Sequence, residues 1–109
     1  MSDGGDFSDE SPDRTTEPDA PLVRVMKIVN KKGLHARPAA KFVQIVEQFD
    51  AQVRVIGKNE TVDGASILDL LTLSASPGTS LTVEASGREA SAVLDALDQF
   101  VASRFGETD

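Results

Sequence analysis

Between residues 23 and 101 the apolar side chains change their repeat several times, and the order of those changes limits the fold. Ala39, Phe42, Val43, Val46 and Phe49 recur at the i, i+3, i+4, i+7 spacing that gives a helix a single apolar stripe. Directly afterwards AQVRVIG (51–57) sets Ala51, Val53 and Val55 against Gln52 and Arg54, the two-residue alternation of a half-buried strand. GKN turns the chain towards a short return strand at ETV (60–62). SILDLLTL (66–73) is a short helix ended by SPGTS, and SLTVEAS (80–86) alternates Leu81, Val83 and Ala85 against Thr82 and Glu84. Helical spacing returns in Ala90, Val93, Leu94, Leu97, Phe100 and Val101, where Ser86-Gly87-Arg88-Glu89 fits a capping box. VRVMKIV (23–29) is β-branched, but both of its alternations mix apolar and charged residues, so its inward face is open. The order is β-α-β-β-α-β-α. Alternating strands call for a sheet with one wet face, and amphipathic helices would cover the other.

Composition narrows the rest. A chain of 109 residues supports one core. Residues 1–21 carry seven acids against Arg14, have no apolar periodicity, and are expected to be a disordered acidic tail. The folded domain then spans 22–105, with a flexible C-terminus at 106–109. A net charge of −7 argues against nucleic-acid binding, which needs basic stripes to neutralise phosphates. No run of 18 apolar residues is present, so no membrane insertion is expected. The first residues lack the order of a signal peptide, and cysteine is absent, which together suit the cytoplasm. Neither a Gly-rich nucleotide loop nor a thiolate metal site is present, so no cofactor and no metal are expected.

Chemistry centres on the single histidine, in KKGLHARPAAKFV (31–43). NKKGLHARPAAKFV, TVDGASILDLL and SPGTSLTVEASG, in that order and spacing, resemble the HPr family of histidine-containing phosphocarriers of the bacterial phosphotransferase system. The resemblance covers residue 23 to about residue 104, essentially the whole folded region. It implies an α+β open-faced sandwich: a four-stranded antiparallel sheet with three helices on one face. It also implies that His35 accepts a phosphoryl group from enzyme I, itself charged by phosphoenolpyruvate. The group then passes to the IIA component of a sugar permease or to a regulatory IIA-type protein. The sugar-uptake and nitrogen-related branches share the motif. Such a protein is a covalent carrier, not an enzyme, and it is expected to be monomeric. The alternative is a non-transferring regulatory module of the same fold that binds a kinase or a transcription factor. A small-metabolite sensor with a pocket between helix and sheet is a third reading.

The residues suit the carrier role. Imidazole is a nucleophile that is partly uncharged at neutral pH; one ring nitrogen attacks while the other keeps its proton. At a helix entrance, His35 lies beside unpaired amides and the positive end of the dipole, so the amides of Ala36 and Arg37 are expected to face the phosphoryl oxygens. Arg37 adds a fixed cation for phosphate. Pro38 falls in the first helical turn, where its missing N–H is no loss. Gly33 supplies the tight turn that leaves the ring exposed. Lys31, Lys32, Lys41 and Lys58 could steer an acidic partner. One histidine with no paired carboxylates near it leaves too few groups for general acid–base catalysis.

Ser66 precedes an apolar run with Asp69 three residues later, which reads as a helix N-cap. The resemblance gives it a second role, as the regulatory site of an HPr kinase/phosphorylase. Ile67, Leu68, Leu70, Leu71 and Leu73 exceed what one buried stripe needs. Leu70 and Leu73 are expected to face the core, and Ile67, Leu68 and Leu71 to form an exposed contact patch; the resemblance implies that enzyme I and IIA proteins dock there.

Overall fold

A computed structural model describes residues 21–107, and in it the elements fall in the expected order. They are β1 (Leu22–Lys27), α1 (Ala36–Val46), β2 (Gln52–Ile56), β3 (Thr61–Asp63), α2 (Ile67–Thr72), β4 (Ser80–Ser86), α3 (Ala90–Ala102) and a 3-10 turn (Arg104–Gly106). The acidic stretch expected to be disordered lies, except for Pro21, outside the described residues. The sheet is antiparallel throughout, in the order β1-β4-β2-β3.

One face of this sheet is covered. Val53 and Val55 of β2 sit opposite Ala85 and Val83 of β4, and all four are buried beneath the helices. Arg54, Thr82 and Glu84, one residue out of phase, stay on the open face, where Arg54 pairs with Glu84 at 3.1 Å. The inward face of β1, undecided from sequence, carries Met26 and continues to Ile28, both buried, while Val23 and Val25 are more than half exposed. Arg24 shares the inner alternation because its long stem carries the guanidinium out to α3. There it donates to Asp95 at 2.7 Å and lies 3.5 Å from Asp98. The Asp95 hydrogen bond raises the pKa of Arg24 above its ordinary value.

Helix α1 buries Pro38, Ala39, Phe42, Val43 and Val46, and α3 buries Ala90, Val93, Leu94, Leu97 and Val101. Phe49, expected to extend the α1 stripe, lies past its end and packs half-buried against the core. The capping box read at residues 86–89 does not form. Ser86 is the last residue of β4, and Glu89 takes the cap position of α3 without a side-chain cap bond. The Glu89 carboxylate instead accepts from the Asp50 amide at 2.7 Å, while its own amide donates to the Asp50 carbonyl at 2.9 Å. Glu89 thus ties the start of α3 to the α1–β2 connection.

Two loops meet at one end of the sheet. The Leu34 amide donates to the Ala75 carbonyl, and Ile28 exchanges hydrogen bonds with Gly78 and Thr79. Gly33 has φ +71°, and a Cβ there would collide with the Ala75 carbonyl oxygen, so glycine is required by both conformation and space. The chain that turns into α1 is therefore held against the loop that follows α2.

Candidate functional site

His35 occupies the N-cap of α1 in an extended conformation, φ −103° and ψ −168°, and its side chain makes no cap hydrogen bond. The His35 carbonyl takes the Ala39 amide at 2.9 Å, starting the helical ladder. Helix geometry leaves the preceding amides, those of Ala36 and Arg37, without an acceptor in the helix, and Pro38 has none to satisfy. Both of those residues are exposed and line an open cleft with His35, Lys31, Lys32 and Lys41. Four of the five cations singled out in the sequence therefore converge with Arg37 among them. Lys58, in the β2–β3 turn, does not line the cleft.

The imidazole is less open than the sequence suggested: its side chain is 35% exposed, and a carboxylate sits on it. His35 Nε2 lies 2.6 Å from Glu107 Oε2. The other carboxylate oxygen accepts from Asn30 Nδ2 at 2.9 Å, and the same amide donates to the Gly33 carbonyl at 2.9 Å. Those two acceptors orient the Asn30 amide, which is buried, and leave its Oδ1 with no hydrogen-bond partner among the described residues. Donation from Asn30, then from His35, together with the nearby Lys32 charge, holds the Glu107 carboxyl below its ordinary value against the opposing effect of burial. An ionised carboxylate can only accept, so Nε2–H donates to it, and in the neutral form of the ring Nδ1 then carries the lone pair.

Neither Asn30 nor Glu107 was foreseen. The inner alternation of β1, Arg24, Met26, Ile28, runs on to Asn30, so a buried amide needing partners could have been inferred there. Glu107 stands 72 residues from His35, and no spacing announces it. The folded unit was expected to end at residue 105, with a flexible terminus beyond. Within that stretch Gly106 closes the 3-10 turn and Glu107 is bonded to His35 and Asn30, while residues 108–109 lie outside the described residues.

Ser66 caps α2, its hydroxyl accepting from the Asp69 amide at 3.2 Å. Leu70 is fully buried, as expected, and Leu73 packs half-buried against the core. Of the patch residues, Leu68 is 75% and Ile67 39% exposed, but Leu71 leans into the core and is half-buried. Six residues make less than two helical turns, so Leu71, one position from Leu70, shares part of its buried side. Among the described residues no group of three or more histidines and carboxylates could hold a metal ion, and no helix is long and apolar enough to cross a membrane.

Comparison with known proteins gives a consistent result. Residues 23–103 match the family model described as the PTS HPr component phosphorylation site. The chain is 40% identical to the phosphocarrier protein HPr of Cupriavidus necator over 86 residues, covering 79% of this chain and 97% of that protein. It is 37% identical to the phosphocarrier protein NPr of Shewanella violacea over 86 residues, 79% of this chain and 94% of that one. Among solved structures, the crystal structure of HPr-C-His from Thermoanaerobacter tengcongensis matches with a TM-score of 0.76 and 36% identity, covering 81% of this chain and 99% of that one.

Proposed function

The chain belongs to the HPr family of phosphotransferase-system phosphocarriers, and from that membership we propose that His35 is the phosphoryl acceptor, charged by enzyme I and discharged onto IIA-type proteins. The observation that supports this most is the position of the ring. It lies at the mouth of α1, with Nε2 engaged and, beside it, the amides of Ala36 and Arg37, which have no acceptor within the helix. In the forward step the Nδ1 lone pair forms a bond to phosphorus. The bond from phosphorus to the enzyme I group breaks and its electron pair leaves with that group. The Nε2 proton stays where it is. In the return step the Nδ1–P bond breaks, its pair goes back to Nδ1, and the phosphoryl group moves to the next acceptor.

Arg37 and the two amides stabilise the charge on the phosphoryl oxygens, a service that the positive end of a helix performs without rearrangement. Lys31, Lys32 and Lys41 draw acidic partner surfaces to the cleft. Ile67 and Leu68 form the apolar part of the docking surface, while Leu71 packs half-buried against the core. Ser66 is the site at which an HPr kinase/phosphorylase would regulate docking. Phosphate there would sit at the start of α2, where the dipole tolerates it, and would place a dianion beside the docking surface.

Incubation with enzyme I and labelled phosphoenolpyruvate tests the carrier reading. Wild type should take up label that is lost in acid, and His35→Ala should take up none. Label retained by the alanine variant, or stable to acid, would overturn it.

A further inference from the structure

The contact on Nε2 is delivered by a segment that is bent and anchored. After α3 the backbone takes positive φ at three successive residues: Arg104 (61°), Phe105 (58°) and Gly106 (73°). Glycine adopts this conformation freely, whereas arginine and phenylalanine adopt it only under constraint from their surroundings. The constraint is Phe105. Its side chain is 1% exposed, and its ring packs 5.2 Å from that of Phe100. With that ring buried, the chain reverses, the Glu107 amide donates to the Arg104 carbonyl, and the Glu107 side chain is aimed back at the mouth of α1. A turn with positive φ at Arg104 and Phe105, held by a buried aromatic and followed by a carboxylate bonded to the single histidine, fixes that carboxylate against the ring.

We infer that Glu107 is a positioning residue for His35, locking the neutral ring as the Nε2–H tautomer so that Nδ1 faces the phosphoryl donor, with Asn30 orienting the carboxylate in turn. The inference rests on the carrier reading for its consequence and on the His35–Glu107–Asn30 geometry for its substance. A carboxylate behind an imidazole selects the tautomer and the ring angle, and it balances the positive charge that the ring acquires once both nitrogens are substituted. Here the carboxylate has one oxygen for each donor: Oε2 for the ring and Oε1 for Asn30. Among the described residues, the charged groups that line the same cleft are Lys31, Lys32, Arg37 and Lys41, and of these Lys32 lowers the Glu107 carboxyl. Thr108 and Asp109 lie outside the described residues.

Two readouts on the full 109-residue chain separate this role from a structural one. Ring 15N shifts of His35, recorded with the ring neutral, report the tautomer; the rate of labelling by enzyme I and phosphoenolpyruvate reports the consequence. In wild type the shifts should be those of a ring protonated at Nε2 alone. In Glu107→Ala a fraction protonated at Nδ1 should appear, and labelling should slow about tenfold, the usual cost of removing such an orienting partner. Glu107→Gln keeps one acceptor oxygen and should fall between. Wild-type labelling that the alanine variant matches within twofold, with an unchanged ring spectrum, would overturn the inference and leave the carrier reading intact. Were wild type to take no label, the carrier reading would fail and the spectra alone would decide. A tautomer that shifts on removal of Glu107 would support the positioning contact, and one that does not would refute it.

Discussion

Two helix starts in this molecule are treated in opposite ways. At α2 the Ser66 hydroxyl turns in and accepts the Asp69 amide, so the helix satisfies part of its own entrance. At α1 the cap residue is His35, whose side chain turns away to Glu107 and leaves the first amides to something else. A serine or aspartate at residue 35 would stabilise α1 by roughly 1 kcal/mol more than a residue that does not cap. The chain forgoes that at one helix and takes it at the other. The difference teaches where to look for function: at the entrance left unfilled, since locally suboptimal choices in a fold that is otherwise consistent tend to mark sites.

Each prediction presses on this contrast, and the open entrance should give the largest effect. Arg37→Ala should lower the rate of His35 labelling about 100-fold, as loss of a group aimed at developing phosphate charge commonly does. Arg37→Lys should recover only part of it, because an ammonium lacks the planar fork. Titration of labelling rate against enzyme I concentration would separate weaker binding from slower transfer, and unchanged rates for both variants would remove Arg37 from the seat. At the closed entrance, Ser66→Ala should cost about 1 kcal/mol in urea unfolding, the worth of an N-cap, and leave the labelling rate within twofold of wild type. A stability loss shared with a collapse in labelling would mean that the two entrances are coupled rather than contrasted.

The smallest effect concerns the Glu107 link. Its folded carboxyl lies below the ordinary 4.5, so the anion is the form that favours the fold. That contribution is present above pH 4.5 and is lost as pH falls through the folded value. Wild type should melt above Glu107→Gln at neutral pH, by no more than about 4 °C, and the gap should close in acid. A gap that is constant with pH would show that the charge of Glu107 contributes nothing to the fold.

What the sequence disclosed divides along similar lines. Element order, the α1 and α3 stripes and the inward faces of β2 and β4 were legible because local periodicity decides them. The face of β1 was not, because Arg24 occupies an inner position and escapes to Asp95 and Asp98 on a helix 71 and more residues away. The false capping box at residues 86–89 had the right letters, but β4 claims Ser86 and the Asp50 amide claims Glu89. At the site, His35 and Arg37 with Pro38 and Gly33 form one local stretch and were readable as such. The Asn30–Glu107 pair depends on a tertiary closure that only the buried Phe105 reveals.

Whether the α1 entrance is the phosphate seat is tested most directly by amide NMR on the phosphorylated protein. Charging the protein with enzyme I and phosphoenolpyruvate should move the Ala36 and Arg37 amide protons most, towards the low-field positions of amides donating to phosphate, while the Asp69 amide at the serine-capped start of α2 stays in place. Phosphorylation that leaves Ala36 and Arg37 unmoved, or shifts them no more than Asp69, would contradict it.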